Sequence, residues 1–290
     1  MKKNGVLNRF FMLLVGLFLY APIFVLIVFS FNATKSRTVW AGFTLDWYGK
    51  LFQNTRIMDA LTTTLLVSVL AAIIATLLGT MAAIGFFSMK RRPRTLCMTV
   101  NNIPMTNADI ITGVSLMLLF VFLGKLLGFN QGFGTLLMAH ITFDIPYVIL
   151  SVLPKLRQLD PNIYEAAEDL GASGFYAFRK VILPEIAPGV INGMMIAFTM
   201  SIDDFVISYF TAGSQVSTLA MEVYSMARRK VSPEINALST LMFLTVLTLL
   251  VIVNVRQMKQ DKTLRRSRAK LTSDLEPTPL LSEEADESDF

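Results

Sequence analysis

Long uninterrupted apolar blocks decide what this chain can fold into. Six segments of the 290-residue sequence are long enough to cross a bilayer: roughly Phe10–Phe31, Leu61–Phe87, Ile103–Leu127, Phe133–Leu153, Ile186–Phe210 and Ile235–Val255. A helix rises about 1.5 Å per residue and the hydrocarbon core is about 30 Å thick, so about 20 apolar residues suffice. The chain is 53% apolar, little above the roughly 45–50% of globular proteins, so segregation of these residues matters more than their number. Charged residues make up 16% of the chain, against about 25% in soluble domains. The pattern predicts an all-α polytopic membrane protein with six transmembrane helices. The third segment is the least regular: Pro104, with Asn101, Asn102, Thr106 and Asn107 around it, predicts a kink and a start nearer Leu96.

The first segment follows Lys2, Lys3 and Arg9 and runs 22 residues, beyond the roughly 7–15 of a signal-peptide core. It therefore reads as an uncleaved spanning helix. Lys and Arg concentrate on cytoplasmic flanks. With a cytoplasmic N-terminus the inner segments hold eighteen of them and the outer segments eight, although Arg228, Arg229 and Lys230 run against the trend. Both termini are then expected in the cytoplasm. Trp40, Phe43, Trp47 and Tyr48 in the first outer loop suit an aromatic belt or a short helix on the membrane surface. After Lys259 the chain turns polar, basic first and then acidic, with seven acids among its last 17 residues. That tail, 256–290, reads as a disordered cytoplasmic extension whose basic part meets anionic lipid. Cys97 alone excludes a disulfide framework and any multi-cysteine metal site. The single His140 reads as a packing or interfacial residue, and no metal site is expected.

The longest inner loop, 154–185, carries the functional signal. Asp160 is a good N-cap with Pro161 as first helical residue, Glu165, Glu168 and Asp169 place acid in the early turns, and Gly171 is a natural stop. A second short helix with Arg179 and Lys180 should follow, ended by Pro184. The loop is thus a compact helix–turn–helix foot, and small Ala166, Ala167 and Gly171 let another backbone approach closely. Glu165-Ala166-Ala167, Gly171 and Val181-x-Leu183-Pro184 at this spacing resemble the coupling loop of ATP-binding-cassette importer permeases. That family's pattern prefers Ile where this chain has Val181. The resemblance implies a type I importer permease fold in a bacterial inner membrane. It implies a permease core over 58–255, preceded by a first helix and outer loop over 1–57. It also implies that Glu165, Ala166, Ala167, Gly171, Leu183 and Pro184 couple to a separate ATPase. Neither Gly49-Lys50 nor Gly124-Lys125 has the upstream glycine and following hydroxyl of a phosphate loop. ATP and magnesium are therefore expected on a partner chain, and this one is expected to be a transport subunit without catalytic residues.

Four acids lie inside the apolar segments: Asp109, Asp144, Asp203 and Asp204. A carboxylate at mid-bilayer costs about 2.5–3.5 kcal/mol on insertion scales, so it faces a partner or a wet cavity. None has a cation within a turn of its own helix, and an acidic, aromatic path suits a cationic substrate. Pro104-Met105-x-x-x-Asp109-Ile110, His140-Ile141-Thr142-Phe143, Ser201-Ile202-Asp203-Asp204-Phe205, Val223-Tyr224-Ser225-Met226 and Val231-Ser232-Pro233-Glu234 narrow the resemblance. They are similar to the second permease subunit of spermidine/putrescine importers. That resemblance implies a polyamine substrate and a heterodimer with a sister permease. It further implies two ATP-binding subunits and an extracytoplasmic polyamine-binding protein or domain, with no nucleic acid. Asp109, Asp203, Asp204 and Asp144 are the candidate pathway residues. The residues alone leave open an importer of another solute, such as iron or thiamine, and a proton-coupled secondary carrier using the buried aspartates.

Overall fold

The computed structural model describes residues 5–34, 39–160, 162–229 and 234–248, with Val251 and Val255. The predicted tail, Lys2, Lys3, Pro161 and Lys230 lie outside the described residues. Among the described residues the regular structure is helical: α1 Gly5–Phe29, α2 Asp46–Gln53, α3 Thr55–Ser88, α4 Arg91–Thr106, α5 Asp109–Leu127, α6 Phe133–Leu156, α7 Ile163–Asp169, α8 Gly174–Ala177, α9 Leu183–Asp203, α10 Val206–Thr211 and α11 Leu219–Arg229. A shorter apolar helix, α12, spans Glu234–Thr248. Contacts divide the chain into Met1–Leu241 and Met242–Phe290, a boundary inside α12. Of the predicted spans, five are helices long and apolar enough to cross a membrane. The sixth is described only in part, as α12 with Val251 and Val255.

A slab of three helices, α3, α6 and α9, forms the centre. Ala72, Ala75 and Ala83 of α3 meet Val148, Ile149, Val152 and Leu156 of α6 and Ile186 and Ala197 of α9. In lipid there is no hydrophobic drive between helices, so close approach through small residues supplies the contact energy. Gly79 and Gly193 set that approach: a Cβ on Gly79 would lie 2.7 Å from the Val148 Cβ, and one on Gly193 3.2 Å from the Val148 Cα. Ser151 Oγ adds an interhelical hydrogen bond to the Gly189 carbonyl at 3.0 Å. Around the slab, α10 packs on α5 and α6, and α11 on α3. In contrast α1 buries none of its span on the rest of the chain.

Two expectations need correction. The third span is not one kinked helix: α4 and α5 are separate, joined through Asn107, whose extended backbone (ψ 151°) ends α4 two residues after Pro104's turn. The fifth span is broken after Asp203, with Asp204 extended (ψ 127°) before α10 starts at Val206. Of the aromatics predicted for a belt or a short helix, Trp47 and Tyr48 lie on the short helix α2, and Trp47 is buried, its indole N–H donating to the Asn32 carbonyl at 2.8 Å. The polar end of the ring finds a backbone acceptor within the loop between α1 and α3. Tyr48 bonds Ser30 beside it at 2.7 Å, and α2 is thereby tied to the end of α1.

Candidate functional site

Two places gather the chemistry-bearing residues, one at each end of α9. At its N-terminal end is the foot. Asp160 Oδ1 accepts the Asn162 N–H at 2.9 Å, which makes a turn ahead of the helix. Asp160 is not the N-cap predicted, because α7 begins only at Ile163 with Asn162 before it. The helix ends where Gly171 predicts. Its φ is +83°, the Gly171 N–H donates to the Glu168 carbonyl (2.8 Å), and the Ala172 N–H donates to the Ala167 carbonyl (3.1 Å). That paired arrangement satisfies the last carbonyls of α7 and requires a left-handed residue at this position. Glu168 also faces the Tyr164 hydroxyl; the hydrogen bond and the carboxylate charge hold the phenol above its usual range.

The second helix of the foot differs from the expectation. It does not end at Pro184. Gly174–Ala177 passes through a five-residue π turn, Phe178–Ile182, straight into α9, making one helix from Gly174 to Asp203. The Leu183 N–H reaches back to the Phe178 carbonyl, so the widened turn re-registers the ladder just before a residue with no N–H to give. Glu165, Ala166, Gly171, Leu183 and Pro184 are exposed while Ala167 is buried. Beside them stand exposed apolar side chains: Leu170 at 90% exposure, Phe175 at 74% and Tyr176 at 56%. An apolar face of this kind, rimmed by Glu165, Glu168 and Asp169, has the make-up of a protein contact.

At the C-terminal end of α9 is the break, held by a buried polar cluster. Asp204 Oδ2 accepts the Ser208 N–H at 2.7 Å and Oδ1 the Ile207 N–H at 3.3 Å, so its carboxylate caps α10. Its Oδ2 lies 3.7 Å from His140 Nε2. His140 is fully enclosed and bridges two serines, Ser201 at 2.9 Å from Nδ1 and Ser208 at 3.0 Å from Nε2. Ser201 Oγ in turn donates to Asp144 Oδ2 at 2.8 Å. With its one proton given to Asp144, Ser201 accepts from His140 Nδ1–H. Asp144 is wholly buried, and its Oδ1 has no hydrogen-bond partner among the described residues.

The four candidate acids thus fall into two pairs. Asp144 and Asp204 belong to the cluster, joined through Ser201 and His140. Asp109, in the first turn of α5, and Asp203, the last residue of α9, are exposed on this chain's surface. No ion pair among the described residues reaches either. Two residues along the chain from Asp203, the Phe205 ring lies 4.4 Å from Tyr224 and 5.5 Å from Tyr209. The Tyr224 ring already carries the Arg228 guanidinium at 5.7 Å. His140 is buried, as its reading as a packing residue expects, and has a polar role besides. Its partners stand 61 and 68 residues away in sequence, and the only local sign was serines flanking the acidic pair.

A helical slab, a foot and a broken span define the membrane subunit of a transporter. The folds agree: a bacterial ABC transporter for import of the acidic polysaccharide alginate superposes with a TM-score of 0.67 at 12% identity, over 88% of this chain and 97% of that one. The sequence matches the binding-protein-dependent transport system inner membrane component family over residues 75–266, and the chain belongs to that family. It is 39% identical over 87% of its length to 94% of the spermidine/putrescine transport system permease protein PotC of Escherichia coli. It is 43% identical over 80% of its length to 84% of the putrescine transport system permease protein PotI of the same organism. The chain is thus a multi-pass inner-membrane permease component that works with other subunits of its transporter.

Proposed function

We propose that this permease carries polyamines, spermidine or putrescine, inward across the bacterial inner membrane. The observation that carries the reading is the exposed Asp203 carboxylate at a helix break, two residues before Phe205, whose ring groups with Tyr209 and Tyr224. Carboxylates pair with ammonium groups and aromatic faces attract them. Asp109 supplies a second exposed acid on the path, while Asp144 and Asp204 shape the break from within. The names of the relatives, which specify spermidine and putrescine, agree with this substrate class.

In this reading the foot is cytoplasmic, as are both termini, and its exposed face with Glu165, Ala166, Gly171, Leu183 and Pro184 seats on one of two ATP-binding subunits. ATP and magnesium bind there and not on this chain. A sister permease completes the pathway, and an extracytoplasmic binding protein delivers the substrate. The test is labelled spermidine uptake in vesicles holding the assembled transporter. Asp203→Asn should lower uptake at least tenfold with assembly intact, and Glu165→Ala should lower both uptake and substrate-stimulated ATP hydrolysis. Wild-type complex that hydrolyses ATP with its binding protein yet ignores polyamines would overturn the substrate assignment.

A further inference from the structure

The end of the slab opposite the foot holds a cavity of about 460 Å³, between the first turns of α3, the start of α6 and the loop before α11. Arg56, Asp59, Thr63, Phe133, Ser217 and Glu222 line it. Glu222 is the unusual member, because its side chain is 5% exposed and yet charged. Arg56 Nε sits 2.9 Å from its Oε2 and 3.0 Å from its Oε1, and Ser217 Oγ donates to Oε1 at 2.8 Å. The two partners are unequal: Arg56 is 61% exposed. A buried carboxylate must keep a counter-charge, since an unpaired ion in a dry site is strongly disfavoured. An exposed guanidinium, solvated and screened, is the half of the pair that gives way easily.

We propose that this cavity is an entry site for an alkylammonium cation, which takes Glu222 from Arg56 before moving toward Asp203. The proposal rests on the polyamine reading above and adds a second, outer site to it. The charges favour a cation. Arg56 offsets one carboxylate, and Asp59, exposed and three residues on along the same helical face, leaves one in excess. Phe133 offers an apolar wall to the methylene chain, and Thr63 and Ser217 offer hydroxyls to the ammonium ends. Water occupies about 30 Å³ per molecule in the liquid, so the space greatly exceeds what the Arg56–Glu222 pair needs for itself. Only α10 and a short loop separate the lining segment from the break at Asp203 and Asp204. Exchange of one cation for another at Glu222 conserves charge, so entry requires no buried acid to stand alone.

The test is equilibrium binding of labelled spermidine to the assembled transporter in nanodiscs without binding protein, with uptake measured in parallel. Glu222→Gln should weaken this binding at least tenfold, about 1.4 kcal/mol. Asp59→Asn should weaken it about threefold, and being exposed it remains informative if Glu222→Gln fails to assemble. Arg56→Gln should tighten binding, because the resident competitor is gone. Wild-type binding in all three variants, or weaker binding in Arg56→Gln, overturns the entry site while normal wild-type uptake leaves the polyamine reading standing. Loss of binding-protein association with spermidine binding unchanged would assign the cavity to that protein and also overturn the proposal. No spermidine binding or uptake by wild type would remove the polyamine reading and this site with it.

Discussion

Replacing Asp204 by alanine removes the acceptor for two backbone N–H groups at the start of α10, one at 2.7 Å and one at 3.3 Å. Loss of an N-cap acceptor costs about 0.5–2 kcal/mol, and a buried donor left unmade costs about 1–3 kcal/mol. The short bond to Ser208 supplies most of this, because the Ile207 bond is long, and the two ranges overlap in one event. A total of about 2–3 kcal/mol follows. Asparagine at 204 keeps a carbonyl oxygen that can accept the Ser208 N–H, and asparagine caps as well as aspartate, so Asp204→Asn should lose under about 1 kcal/mol. In a chain of this size each kcal/mol moves Tm by about 2–4 °C. Alanine should therefore lower the unfolding temperature of the solubilised transporter by about 4 to 12 °C, read by light scattering at one scan rate. Asparagine should stay near wild type and keep most spermidine uptake. The capping argument is refuted if alanine is as stable as wild type. It is also refuted if asparagine falls as far as alanine, since that would place the energy in the carboxylate charge facing His140.

Gly171→Ala should destabilise the end of α7 by about 1–2 kcal/mol, because its φ of +83° is a left-handed conformation that costs an L-residue that much. Hydrogen exchange over 163–172 should quicken, and co-purification of the ATP-binding subunit should fall; unchanged exchange would refute it. Gly79→Val should cost about 1–3 kcal/mol by driving a Cβ to 2.7 Å from Val148. Gly85→Ala on the same helix meets no neighbour and should gain about 0.5–1 kcal/mol from helix propensity. Thermal unfolding of the two side by side must therefore give opposite signs.

The bundle was legible because membrane helices announce themselves by length. The apolar run Phe133–Leu153 comes within three residues of α6, and Gly171 marks a stop through one residue's conformational freedom. Breaks were harder. An aspartate inside an apolar run reads as substrate chemistry, yet the Asp204 carboxylate is spent on the N–H groups of residues 207 and 208. Nothing local separates those uses, because the capping role requires the chain to have broken already. The His140 cluster depends on α6 lying against the end of α9, which tertiary packing alone decides. Pro184 misled for a different reason: proline normally ends a helix when its missing N–H leaves the ladder open, and a π turn upstream absorbed that defect.

Continuity through that π turn joins the two candidate sites mechanically. The helix from Gly174 to Asp203 has 30 residues, about 45 Å at 1.5 Å per residue. Its lower end carries Phe175, Tyr176, Leu183 and Pro184 of the foot, and its upper end carries Asp203. Between them it is seated on α6 and α3 through Gly193, Ala197 and Ile186, where close packing leaves no room for sliding by fractions of a residue. In the proposed cycle a displacement applied at the foot is carried along this helix into the slab. The break after Asp203 is where this helix ends. There α10 is held by the Asp204 cap, by His140 and by the Thr135 Oγ1–Thr211 carbonyl bond at 2.8 Å. Those bonds tie α10 to α6, so in the proposed cycle α10 moves with the slab. In that cycle the carboxylate that meets the cation is thus placed at the end of a 30-residue helix that begins in the foot.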